Sequence, residues 1–167
     1  MKKGAIISEC GLYRYSLTRV WDDVLPMCIF VMLNPSTADA DIDDPTIRRC
    51  INFAKREGCG SLMVVNLFAY RATSPADMKA AVDPIGSGNP TTLEETFEYA
   101  REHDYRVIAG WGAHGTFQTA DIFVAELAKK HQITLQCFGV TGVGQPRHPL
   151  YIKNDQPLIE WLPPNRN

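Results

Sequence analysis

Asn34, Asn66, Trp111 and His148 are the residues of this chain best suited by type and position to chemistry. Asn34 follows the apolar run 27–33, which Pro35 then ends because it lacks the N–H a central strand requires. Asn66 closes the run 62–65, Trp111 follows 107–110, and His148 sits between Arg147 and Pro149. An amide offers a donor and an acceptor together. An imidazole exchanges a proton near neutral pH, and an indole offers a flat apolar face. Such a set can hold a planar polar ligand and stabilise charge on it.

Those groups need a scaffold to bring them together. The runs 27–33, 62–65, 107–109 and 133–138 have the apolar character of strands buried on both faces. Helices separate them. Asp44 as N-cap, with Pro45 at the first helical position, opens one whose buried stripe is Ile47, Cys50, Ile51 and Ala54; Gly58 stops it. Ser74-Pro75 begins a short helix over 75–81, and 83–90 is a loop punctuated by proline and glycine. Thr92 and Glu95 have capping-box spacing for a helix to His103. A further helix is predicted over 116–131, burying Ala120, Phe123, Val124 and Leu127.

Residues 4–8 and 12–17 predict a hairpin. Strands alternating with helices define an α/β fold, a three-layer sandwich with a mostly parallel central sheet. In such a sheet the strand ends share one edge, where ligands bind, so the four polar tips should converge. With no repeat, linker or break in composition, one domain is expected across 1–167, with a frayed tail at 163–167.

Composition narrows the function classes. The chain is 45% hydrophobic and 22% charged, and its formal net charge of -2 supplies no global attraction to nucleic acid. Five cysteines, an odd number with no C-x-x-C, point to free thiols and a cytoplasmic setting rather than a disulfide or zinc framework. No apolar run reaches membrane-spanning length. Nothing sets the oligomeric state.

In order and character, the blocks at Asn34-Pro35, Val64-Val65-Asn66, Gly110-Trp111-Gly112 and Arg147-His148-Pro149 resemble the uracil-DNA glycosylase superfamily. The chain from about 5 to 155 also resembles a bacterial and phage domain-of-unknown-function family, DUF1643, through Asn34-Pro35-Ser36-Thr37-Ala38-Asp39, Asp44-Pro45-Thr46, Trp111-Gly112 and His148-Pro149-Leu150-Tyr151. The glycosylase resemblance implies a pocket for a nucleobase, nucleotide or nucleic acid, with N-glycosidic hydrolysis as its activity. Asn34 would orient a water and His148 would stabilise the departing base, while Asn66 would read the base edge. Phe68 or Tyr70 would stack on the base. Ser36, Trp111, His114 and Arg147 would complete the binding site. The chain departs from that pattern in two places. Asn34-Pro35-Ser36 carries no water-activating carboxylate, and Leu150 stands where a phosphate-steadying Ser is expected.

Two other classes remain. The pocket could bind a nucleotide or modified base without chemistry. Alternatively, Asp39, Asp41 and Asp43 alternate and offer oxygen ligands for Mg2+, with Arg48 and Arg49 one turn later to hold phosphate. A solvated loop leading into a helix cap is the plainer account of that acidic run.

Overall fold

The computed structural model describes residues 1–165. Seven strands form one sheet: β1 (Lys2–Ile7), β2 (Arg14–Val20), β3 (Met27–Met32), β4 (Ser61–Asn66), β5 (Arg106–Ala109), β6 (Leu135–Cys137) and β7 (Ile159–Glu160). Their order is β1-β2-β4-β3-β5-β6-β7. The centre β4-β3-β5-β6 is parallel, whereas β1, β2 and β7 run antiparallel to their neighbours. The sheet is therefore mixed, not mostly parallel. The β1-β2 pair is the hairpin expected over 4–8 and 12–17, whereas the antiparallel pairings of β2 with β4 and of β7 with β6 are not revealed by an alternating βα pattern.

Side chains along β3 alternate between two cores. Ile29 and Val31 face a layer containing Leu93, Phe97, Val124 and Leu127. Cys28, Phe30 and Met32 face Ile47, Cys50, Ile51 and Ala54. The period of two places one helical layer on each face. The layer against Cys28, Phe30 and Met32 is α1 (Pro45–Arg56); the layer against Ile29 and Val31 contains α3 (Asn89–His103) and α4 (Ala120–Lys130). A short helix, α2 (Pro75–Ala80), precedes α3. The α/β sandwich follows from this arrangement.

Local signals decide most boundaries. Asp44 caps α1 by accepting from the Ile47 N–H at 2.9 Å, and Ser74 caps α2 by accepting from Asp77 at 3.1 Å. Helix α3 begins at Asn89, three residues before the capping-box pair. Pro90 fits its first turn, and the Thr92 hydroxyl bonds back to the Gly88 carbonyl at 3.0 Å. The expected helix over 116–131 is broken: a 3-10 segment spans Ala113–Thr119, and Phe117 and Gln118 leave helical geometry before α4 starts. Phe123 is exposed, and Asp121 and Ala128 take places on the buried face. The last core strand is only three residues long.

Four of the five cysteines are buried and free; Cys10 is free and exposed. No helix of the described residues is long and apolar enough to cross a membrane. Of the tail expected to fray, 166 and 167 lie outside the described residues, while Pro164 packs against Gly144.

Candidate functional site

The parallel strands end level with one another. Met32 pairs with Asn66 across β3 and β4, and Val31 with Ala109 across β3 and β5. β4 and β5 flank β3 on opposite sides, and their crossover helices lie on opposite faces, so the chain reverses its winding here. Open sheets form ligand crevices at such reversals. Here the crevice is a cleft of about 810 Å³. Asn34, Ser36, Asn66, Trp111, His114, Arg147 and His148 all line it, so seven of the expected site residues share one cavity.

Asn66 is the most unusual of them. It is 1% exposed, and neither its Nδ2 nor its Oδ1 has a hydrogen-bond partner. A buried amide left unmet costs roughly 1–3 kcal/mol per group. Its main chain, by contrast, is firmly held. The Nδ2 of Asn89 donates to the carbonyls of Asn66 at 3.0 Å and Leu67 at 3.1 Å. The backbone is fixed, while the buried amide, part of the cleft wall, has no partner of its own.

Asn34 has the opposite pattern. Its Nδ2 donates to the carbonyls of Pro35 at 3.1 Å and Ala72 at 2.9 Å, which sets the amide's orientation and leaves Oδ1 as an acceptor. The Trp111 indole N–H donates to Gln145 Oε1 at 2.8 Å, and Gln145 Nε2 donates to the buried Asp121 at 3.1 Å. Gly115 lies so close under the indole that a Cβ there would stand 2.0 Å from Trp111 Cδ1. Only glycine permits that approach.

His148 accepts at Nδ1 from the Leu150 N–H at 3.2 Å. Burial lowers its pKa, against the opposing charge of Asp44. The ring is therefore neutral at pH 7 with its proton on Nε2, a donor. The turn that carries it is strapped to α1: Arg49 bonds to the carbonyls of Pro149 and Ile152 and to Asn154, and its guanidinium lies over Phe53. His114 stands at the rim, where Lys79 Nζ lies 2.9 Å from its Nδ1; burial and that neighbouring cation both lower its pKa. Arg147 is exposed at the same rim.

Several expectations need correction. Phe68 is 0% exposed and packs on Phe117 with ring centroids 5.5 Å apart, so it is a core residue and not a stacking face. Tyr70 packs edge-on against Tyr13 and is absent from the cleft wall. Arg48 donates to the Asp43 carbonyl, so neither it nor Arg49 reaches the cleft. The acidic loop is wound around a buried arginine: Asp43 accepts from Arg19 Nε at 2.7 Å, and Asp39 accepts from the N–H groups of Asp41 and Ile42. Asp39, Asp41 and Asp43 do not form a metal cage, and no group of three or more His, Cys, Asp or Glu among the described residues could hold an ion.

Two cleft residues escape sequence reasoning. Asp44, read as a helix cap at the end of the acidic 39–44 loop, also lines the cleft, and at 8% exposure it stands near enough to act electrostatically on His148 and Arg14. Arg14 looks like the polar half of an alternating strand, yet it is 2% exposed and part of the wall. Burial brings its pKa down to about 10, so it remains charged at neutral pH.

The fold and cleft define an α/β protein whose ligand-sized crevice opens at the carboxyl ends of parallel strands. The chain belongs to the family described as Protein of unknown function (DUF1643), which matches residues 14–150. That segment contains every cleft residue except Tyr151. No curated protein and no solved structure matches the chain.

Proposed function

We propose that the cleft holds a nucleobase-bearing ligand and that Asn66 reads the base edge. The observation that carries this reading is the Asn66 amide, buried in the cleft wall with both polar atoms unpartnered. One amide matches any base edge that presents a donor beside an acceptor. No protein group dictates which way this amide faces, so the ligand does. A glycosylase-like arrangement supports the same reading, since the Asn34, Asn66, Trp111 and His148 blocks occupy successive strand ends and loops around one cavity.

Calorimetry with uridine, inosine and their free bases tests it. Binding that disappears in Asn66→Leu is expected; unchanged binding in that variant overturns the assignment. Ligand at a hundred times its Kd should stabilise the fold by roughly 2.7 kcal/mol.

Asp44 favours a second reading, hydrolysis of the N-glycosidic bond. The carboxylate absent from the Asn34-Pro35-Ser36 turn is supplied in the cleft by the α1 cap. A water placed by Asn34 Oδ1 would add its oxygen to the sugar carbon and pass a proton to Asp44. The C–N bond would break with its electron pair on the base; the neutral His148 Nε2–H would steady that charge by hydrogen bonding. The base would take a proton from solvent, and Asp44 would release the proton it received from water. Release of free base from uracil-, hypoxanthine- or hydroxymethyluracil-containing strands, lost in Asp44→Asn, is the expected signature. Asparagine still caps the helix, so the fold survives the change. Absence of released base leaves a binding protein.

A further inference from the structure

Two buried arginines on β2 have opposite hydrogen-bond states. Arg19 is saturated: Nε donates to Asp43, Nη1 to the carbonyls of Gly4 and Thr18, and Nη2 to those of Asp39 and Ile42. Arg14 donates once, from Nη1 to the Ala38 carbonyl at 2.7 Å, and its buried Nε has no partner. The carboxylates whose charge it feels are held by other bonds. Asp44 Oδ1 accepts from Ile47 N–H, and Asp39 Oδ1 from the amides of Asp41 and Ile42. A guanidinium out of water with donors unmet is costly unless an acceptor arrives with a ligand. Arg14 lines the same cleft as the unpartnered Asn66 amide.

We propose that Arg14 is the anion subsite of this cleft and receives the phosphomonoester of a free nucleotide whose base lies at Asn66. The proposal rests on the base-reading role of Asn66. A guanidinium fork pairs with two phosphate oxygens at once. The N-terminus of α1, at Pro45 and Thr46, forms part of the same wall, and its dipole favours negative charge. The hydroxyls of Ser36 and Thr37 add donors. A terminal phosphate can reach a guanidinium that is only 2% exposed, whereas a phosphodiester would have to thread a neighbouring nucleotide past it. The cavity has the size of small-molecule sites.

The test is calorimetry on the full chain with uridine and inosine 5′-monophosphates, their nucleosides, inorganic phosphate and the diester uridylyl-uridine. Each monophosphate should bind at least about tenfold tighter than its nucleoside. That ratio should fall toward one in Arg14→Gln, with nucleoside binding retained. If Arg14→Gln does not fold by circular dichroism, the wild-type ratio and Arg14→Lys, which keeps the charge without the fork, decide the matter. A wild-type ratio near one, or a ratio unchanged in the Arg14 variants, overturns the subsite. Diester binding tighter than monophosphate binding overturns the free-nucleotide assignment in favour of a strand. Asn66-dependent nucleoside binding without phosphate preference refutes the subsite alone. Inorganic phosphate binding that depends on Arg14, with no response to any nucleoside, refutes the base-reading role and leaves the anion site standing.

Discussion

The side-chain amide of Asn89, in the first turn of α3, spans the carbonyls of Asn66 and Leu67 at 3.0 and 3.1 Å and so fixes the tip of β4 from behind. Asn89 is itself fully buried. Its removal would leave two carbonyls without a donor in the interior. Asn89→Ala should therefore destabilise the fold by about 2–3 kcal/mol in urea titration. Ligand affinity should fall as well, because the chain that aims Asn66 would relax.

Asn66→Leu should act with the opposite sign on stability. The substitution replaces two unmet polar atoms with apolar ones of similar volume. A gain of about 1–3 kcal/mol in urea titration is expected, together with loss of nucleoside binding. Destabilisation by this change would mean that the amide has a structural partner.

The pH response of His148 follows from the direction of its shift. Its folded pKa lies below the ordinary value of roughly 6.5, so the unfolded chain takes up the proton first. Stability contributed by the neutral ring is complete above about pH 6.5 and declines as the pH falls through that value toward the folded pKa. His148→Asn should flatten the decline between about pH 7 and pH 5, measured by thermal unfolding across that range.

Arg49→Ala should loosen the turn that carries His148. It removes bonds to Pro149, Ile152 and Asn154 together with the stack on Phe53, a loss of about 1–3 kcal/mol by urea titration. Lysine should restore little, since one ammonium cannot serve carbonyls spread along the turn as a planar fork does. Nucleotide affinity should weaken in both variants although the residue stands outside the cleft.

Much of the frame was legible because local chemistry and periodicity agreed. Asp44-Pro45 marks a helix start by capping geometry alone, and the apolar runs before Asn34, Asn66 and Trp111 could only be interior strands. Convergence of those tips followed from parallel pairing. Arg14 was hidden because alternation along β2 says which residues share a face, not that a loop over 36–44 covers the face it occupies. Asn89 was hidden because its neighbour Pro90 looks like a loop breaker and is in fact a first-turn proline. Phe68 lies two residues beyond a strand tip, and only the path of the chain after Asn66 decides that it turns inward.

Arg49 meets Pro149 across 100 residues of chain, and the remaining walls come from the ends of β3, β4 and β5. A refolding molecule must close these long loops before the crevice has a floor and a rim. The entropy of closing them delays such contacts relative to helix formation. Nucleotide capture during refolding should thus lag behind the recovery of far-ultraviolet dichroism. The lag dates the moment at which distant parts of the chain first act as one surface.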